Sequence, residues 1–317
     1  MKQTSLDISK QERPSPFFRL WKILRWLPLT TMLLTIAILS ILFLSGGTQK
    51  IDAWFLSQLA LPVLGLICLV ASIIYGSVQR RFSRLLVMTS LIALLALLPA
   101  ILLIMPVAYP ASLTAMTPSA TVRLPADVSL QVLWGGDKLA TNYHAKTPDQ
   151  RWAYDLGVAP YLSGSAKLVD YGCYGIPVIA PVSGPVAYVR DGEPDHTPGV
   201  LSNNFQAPTG NHVVIRLETE TYLVIAHLKQ GSVAVKAGET VAEGQVIGQC
   251  GNSGNTSEPH IHIHHQRQDP IVYPGDLAEG LPLYFRDHDG APMPEGGIEM
   301  ENNQLIATGE TVQHIGK

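Results

Sequence analysis

Three long apolar runs in the first third of the chain constrain it more than any other feature. They cover residues 27–45, 54–78 and 85–108. Each is near the roughly 20 residues that a helix rising about 1.5 Å per residue needs to cross about 30 Å of hydrocarbon. Between positions 26 and 111 the only charged side chains are Lys50, Asp52, Arg80, Arg81 and Arg84. Core helices of a soluble protein are rarely this long without a polar face, because a globular helix keeps one side in water. The runs are read as three transmembrane helices, with the lipid bilayer as a partner of the chain. They explain why a 317-residue chain is 47% hydrophobic and only 15% charged.

Basic residues orient the spans. Lys2, Lys10, Arg13, Arg19, Lys22 and Arg25 precede the first run, and Arg80, Arg81 and Arg84 fill the second connection, whereas the first connection has only Lys50. Short basic loops stay in the cytoplasm, so the N-terminus is placed inside and everything after Tyr109 outside. The localisation expected is a multi-pass cytoplasmic (inner) membrane protein with a periplasmic or extracellular C-terminal domain. The first run is long and no Ala-x-Ala-like site follows it, so it is read as an uncleaved anchor rather than a signal peptide. The expected divisions are a basic tail (1–25), three helices (26–111), a Pro-studded linker (112–127), an outer domain (128–286) and an acidic C-terminal tail (287–317).

Residues 112–317 hold 12 basic and 22 acidic side chains. A net charge of −10 with no basic stripe argues against nucleic acid as a partner, since phosphate binding needs clustered Lys and Arg. From Val128 onward, short β-branched and aromatic runs such as residues 128–134, 176–182, 212–217 and 221–226 are broken by Gly, Pro, Asn or Asp. The fold class expected is an all-β extracytoplasmic domain preceded by three transmembrane α-helices, the β part a sandwich or open barrel of hairpins. Cys68 lies in the second run as a small apolar residue. Cys173 and Cys250, the only two in the outer region, either pair in an oxidising compartment or stay buried thiols. The acidic tail either closes over a sheet edge or is loosely ordered.

All ten histidines lie beyond residue 111. In Pro259-His260-Ile261-His262-Ile263-His264 the alternation puts three imidazoles on one face of a strand and isoleucines on the other. Same-face neighbours are about 7 Å apart, close enough for one histidine to bind a metal while another faces its open coordination position.

Five ordered blocks extend this pattern: Gly175-Ile-Pro-Val-Ile-Ala-Pro-Val-Ser-Gly184-Pro-Val, Gly210-Asn-His-Val-Val-Ile215, Ile225-Ala-His227-Leu, Val235-Lys-Ala-Gly-Glu-Thr-Val-Ala-Glu-Gly-Gln-Val-Ile-Gly248, and Gly251-Asn-Ser-Gly-Asn-Thr-Ser-Glu-Pro-His-Ile-His262. Together they resemble the lysostaphin-type zinc metalloendopeptidases, peptidoglycan hydrolases with a duplicated hybrid motif β-fold whose antiparallel sheets form a groove. The resemblance covers residues 142–271 and excludes the apolar runs and the tail. It implies zinc (Zn2+) as cofactor and a peptidoglycan stem or cross-link peptide as substrate. It also implies His262 as a metal ligand and His260 and His227 as catalytic histidines. The family's other ligands form His-x-x-x-Asp, and here the sequence departs: Asp155 fits, but Arg151 stands where the histidine belongs. His144, eleven positions before Asp155 across the turn-forming Lys146-Thr-Pro-Asp-Gln150, is taken as the missing ligand, with His212 in reserve. His264 and His265 are expected at a strand end or groove wall. Gly251-Asn-Ser-Gly254 either lines a groove for a small-residue peptide or is a simple turn.

The ligand set implied by the resemblance, two imidazoles, one carboxylate and an open position, describes a catalytic rather than a structural zinc site. Two other classes compete with this membrane-anchored zinc metalloendopeptidase. One is an inactive family module that scaffolds or activates other cell-wall hydrolases, whose usual sign is lost ligands. The other is a sugar-transport phosphocarrier, which shares the fold class and paired histidines but works in the cytoplasm.

Overall fold

A computed structural model describes residues 24–80, 82–273 and 275–316, and the chain divides into units 1–105 and 106–317. Of the basic residues used for orientation, Lys2, Lys10, Arg13, Arg19, Lys22 and Arg81 lie outside the described residues.

The first unit contains helices α1 (Leu27–Ser45), α2 (Gly47–Gln79) and α3 (Arg84–Leu95), followed by a 3-10 segment Leu98–Leu103. Pro28 sits in the first turn of α1, where its missing N–H costs nothing. Helix α2 begins at Gly47 rather than at residue 54, taking Lys50 and Asp52 into its first turns. Its 33 residues measure about 50 Å. Ser83 caps α3 by accepting from the Leu86 N–H at 3.2 Å. The third run does not stay α-helical to residue 108. Pro99 would clash with the Leu95 carbonyl four residues back, so the α-helix ends at Leu95 and tightens to 3-10 geometry. Three helical stretches are long and apolar enough to cross a membrane, and only 17%, 33% and 17% of their most apolar windows is buried. That outward apolar surface is what a hydrocarbon solvent accepts and water does not.

The second unit is β-rich. Its strands are β1 (Ala120–Val122), β2 (Leu130–Trp134), β3 (Tyr154–Gly157), β4 (Pro177–Ile179), β5 (Gly184–Arg190), β6 (Asn211–Arg216), β7 (Tyr222–Leu228), β8 (Thr240–Val241), β9 (Val246–Gln249), β10 (Ile261–Gln266), β11 (Leu283–Phe285), β12 (Ile298–Glu301), β13 (Gln304–Ala307) and β14 (Thr311–Val312). Eight form one sheet in the order β14-β2-β3-β10-β7-β6-β5-β8. Strand pairing is antiparallel except for β1 against β11. The pleat sorts the side chains of this sheet. Tyr154, Leu156, Ile225, Ile261 and Ile263 face a core that also takes Val178 and Ala180 from the β4 region, Ile247 from β9 and Phe285 from β11. Their alternates, Asp155, Ala226, His262 and His264, occupy the other face, with Val214, Val224 and Ala226 forming a small apolar floor there.

Two regions differ from the expected divisions. The 112–127 stretch is not only a spacer: β1 pairs with β11, and Ala120, Val122, Leu124 and Ala126 are all buried in the core. Their alternation is a strand signal that the surrounding prolines obscure. The segment packs from Tyr109 onward, where the backbone N–H donates to the Ala145 carbonyl at 2.8 Å. Of the two readings of the tail, closing a sheet edge is the one observed. β12 and β13 form a hairpin, β14 pairs with β2, and Val312 enters the core.

Cys173 and Cys250 form a disulfide with Cα atoms 5.7 Å apart, inside the core. The bond closes a 77-residue separation, which removes about 4 kcal/mol of unfolded-chain entropy on the loop-closure account. Alkylation of the denatured, unreduced chain is expected to label one thiol, Cys68, out of three cysteines. Cys173→Ala paired with Cys250→Ala should lower unfolding stability by roughly 2–4 kcal/mol in denaturant titration.

Candidate metal centre

The centre is built around strand β10, whose six residues are all buried. His262 is the direct cross-strand partner of Asp155 on β3 and of Ala226 on β7, so pairing alone brings the first imidazole and the carboxylate together. His262 Nδ1 lies 2.8 Å from Asp155 Oδ1. His260 precedes the strand. A carbonyl oxygen can only accept, so its 2.8 Å contact with the Glu258 carbonyl makes His260 Nδ1 the donor and leaves Nε2 facing Asp155 Oδ1 at 3.4 Å.

His144 reaches the same carboxylate by a local device. Tyr143–Lys146 is a single 3-10 turn. Asn142, fully buried, accepts from the His144 backbone N–H at 3.1 Å and donates from Nδ2 to the Gly136 and Ala153 carbonyls. That places His144 Nε2 3.0 Å from Asp155 Oδ2, with the ring packed against Tyr143. Arg151 is occupied elsewhere: Nε donates to the Tyr109 carbonyl at 3.1 Å, and the guanidinium pairs with Asp137.

His227 is aimed by a bulge. Simple alternation along β7 would send it to the core with Ile225. Instead its φ is +59°, and the β6–β7 register shifts between the Asn211 and Val213 pairings. The side chain therefore joins the polar face, with ring centroids 4.7 Å from His260 and 5.6 Å from His262. Its Nδ1–H donates to the Ser253 carbonyl at 2.8 Å, leaving Nε2 free. His212 stays apart, its Nδ1 donating to the Gly210 carbonyl at 2.7 Å. His264 and His265 lie within β10 rather than at its end. His264 contacts His262, while His265 faces the core side and contacts Thr221 and the Pro282 carbonyl.

Burial, then the neighbouring His260 and His262, push the His227 imidazole well below its usual range. Burial takes His262 down to about 4 despite Asp155. For Asp155 burial acts upward, but His144 and His260 outweigh it and hold the carboxyl well below the usual carboxylate range. Burial acts downward on His260, and Asp155 more than offsets it, leaving that imidazole raised. The pattern is an anionic carboxylate beside a raised His260 imidazole, with His262 and His227 pushed toward the neutral form by burial.

Among the described residues, His144, Asp155 and His262 could hold a metal ion, as could His227, His260 and His262, the donor atoms of each set lying within 4.8 Å of one another. The first set fits a zinc ion better. It includes the negative charge, and its 3.0 and 2.8 Å contacts approach the roughly 3.3 Å that separates two ligands bound 2.0–2.1 Å from a tetrahedral ion. His227 and His260 then sit beside this set with Nε2 turned toward it. Asn142 and the Glu258 and Ser253 carbonyls, which fix these rings, had no readable sign in the sequence.

The Ser253 carbonyl belongs to Gly251-Asn-Ser-Gly254, where a Cβ on Gly251 would meet Lys229 backbone at 2.3 Å and one on Gly254, at φ +90°, would meet the Gly210 N at 2.4 Å. These glycines permit close backbone packing behind His227. Gly254→Ala is expected to cost about 3 kcal/mol or more in a urea titration. Gly238→Ala, at φ +87° but with open space around it, should cost only about 1 kcal/mol.

Asp149 lies buried between the His144 turn and β3. Burial, then Asp276, raises its carboxyl to about 7. The unfolded chain ionises this group near its ordinary 3.8 while the folded chain keeps the proton, so its contribution to stability is present below about pH 4 and lost as pH rises toward 7. Urea titrations with a chelator present, run from pH 4 to 8, should show Asp149→Asn losing less stability with rising pH than the wild type.

Residues 165–274, about a third of the chain, match the family model described as Peptidase family M23. That stretch contains His227, His260 and His262 and begins after His144 and Asp155. Among solved structures, the chain is similar to a zinc containing peptidase from Vibrio cholerae, at 22% identity over 45% of this chain and 36% of that one, TM-score 0.31. It is similar to the catalytic domain of the antimicrobial peptidase lysostaphin from Staphylococcus simulans, at 19% over 46% and 90%, TM-score 0.27. It is also similar to the SpoIIQ-SpoIIIAH pore forming complex, at 17% over 50% and 87%, TM-score 0.31. The chain spans about a third of the Vibrio cholerae chain's length. The family-model match places the resemblance carried by the motif blocks in a region of the second unit.

Proposed function

We propose that the outer unit is a zinc metalloendopeptidase that hydrolyses peptide bonds in peptidoglycan stem or cross-link peptides. In this reading it is anchored by three membrane-spanning helices with the N-terminus in the cytoplasm. The observation that carries the enzymatic part is the buried His144, Asp155 and His262 set with two further histidines turned toward it. The Peptidase family M23 match supports the reaction class. Asymmetry of the basic loops supports the orientation, and so does a disulfide in the outer unit, since such bonds persist in oxidising compartments.

Bound by His144, Asp155 and His262, zinc would polarise a scissile carbonyl as a Lewis acid and lower the pKa of a water toward about 7. The protein's own groups handle the protons. His227 and His260 each spend Nδ1–H on a backbone carbonyl, so both present Nε2 in a fixed orientation. One of the two takes the proton of the attacking water at Nε2 and passes it to the leaving amine, while the other, protonated at Nε2, hydrogen-bonds the developing oxyanion. The apolar floor of Val214, Val224 and Ala226 beside them excludes water on one side of the site.

The test uses the full chain in detergent with purified peptidoglycan, reading bound metal and product masses. Wild type should hold about one zinc and release stem or cross-link fragments. His260→Ala should keep zinc and lose about 100-fold or more in cleavage, while His144→Ala should lose both. Acidification should release zinc as the ligand imidazoles protonate. Zinc binding without cleavage in the wild type would replace the enzyme with a binding module, and a reporter fused after residue 317 that worked only in the cytoplasm would overturn the orientation.

A further inference from the structure

On the polar face of β10, His262, His264 and Gln266 stand at every second residue and touch in sequence. The direction of each hydrogen bond follows from the last. The Gln268 backbone carbonyl can only accept, so the Gln266 amide donates to it from Nε2 at 2.7 Å. The same amide therefore presents its oxygen to His264 Nε2 at 2.9 Å, and that nitrogen carries the hydrogen. His264 is 3% exposed and its hydrogen-bond partners are His262 and Gln266, not a carboxylate, so it is neutral and its Nδ1 holds a lone pair. His262 Nε2 must then donate to it at 2.9 Å.

One consequence reaches the metal centre. With its hydrogen on Nε2, His262 turns a bare Nδ1 lone pair toward Asp155 Oδ1 at 2.8 Å. Two acceptors at that distance repel unless a cation lies against both. The geometry points to His264 and Gln266 as positioning residues that set the tautomer of His262 and present Nδ1 as a metal donor. This inference rests on the metal-centre reading above. Metal-bound histidines usually pass their second N–H to a carboxylate, a backbone carbonyl or water. Here a second imidazole takes it, and an amide fixes that imidazole in turn.

The test is zinc affinity of the full chain in detergent, by competition with a chromophoric chelator. Gln266→Met keeps the length of the side chain and removes the acceptor, and His264→Phe removes the link to His262. Both should weaken zinc binding by about 10–100-fold. In the chain freed of metal by a chelator, 15N-histidine NMR should show His262 protonated at Nε2 in wild type and no longer held in that single tautomer in Gln266→Met. Unfolding measured with a chelator present identifies variants that fold, and should His264→Phe fail to fold, Gln266→Met decides. Gln266→Met binding zinc as tightly as wild type overturns the inference. Weakened zinc binding in Gln266→Met with His262 still protonated at Nε2 also overturns it, because packing rather than bond direction would then be at work. Wild type that is folded yet binds no zinc removes the metal centre itself, a failure distinct from the other two.

Discussion

Burying a carboxylate without compensation costs several kcal/mol, and Asp155 is 4% exposed at the middle of the large sheet. Imidazoles meet both of its oxygens, His144 on one and His260 and His262 on the other, and the Tyr143 side chain also hydrogen-bonds to the carboxylate. The architecture around it follows from that need. β3 is held between β2 and β10, so the carboxylate cannot move out toward water without breaking pairing on both sides. The cross-strand match of Asp155 with His262 fixes one contact through the sheet itself, and the His144 turn supplies the other. A site assembled on central strands is positioned more tightly than one assembled on loops alone.

The strain at His227 belongs to the same arrangement. A non-glycine residue at φ +59° costs of order 1–3 kcal/mol. Regular geometry would put that imidazole in the apolar core, with no partner and no contact with the carboxylate. The bulge exchanges backbone comfort for a position beside His260 and His262. The Ser253 carbonyl, held by the glycine-rich turn behind it, receives the ring's only N–H. Gly254 and the bulge thus act on one ring from two directions.

How much of this was legible in the sequence depended on whether a signal was periodic. The apolar runs and the alternation through β10 repeat with the period of their element, and both appear where expected. Asp155 was reached through the resemblance, as the Asp of the His-x-x-x-Asp pattern, and not through a strand period. The last α-helix stopped short because Pro99 acts on one residue four positions away, a local clash that hydropathy averaging hides. His144 was reachable only by arguing that a turn could close eleven residues. What fixes it, the side chain of Asn142 inside that turn, leaves no periodic mark. For His264 the sequence reached no further than a strand end or groove wall for a related reason: the pleat tells which face a histidine occupies but not which neighbour takes its hydrogen. Val122, Leu124 and Ala126 did carry a strand period, but Pro118 and Pro125 beside them suggested a spacer.

That last misreading bears on where the folded second unit begins. The Tyr109 carbonyl receives Arg151 Nε, and its backbone N–H holds the Ala145 carbonyl, one residue beyond His144. Arg151 is 6% exposed and Ala145 fully buried, so neither group could turn to water if Tyr109 were absent. A buried guanidinium that lost one acceptor would keep Asp137, while the Ala145 carbonyl would be stripped of the N–H that closes the turn from outside. The turn bearing His144 is therefore completed by a residue that precedes the apparent linker. Division of the chain at residue 106 rather than 112 has this physical basis: the segment leaving the helical unit is already part of the support for the candidate metal centre.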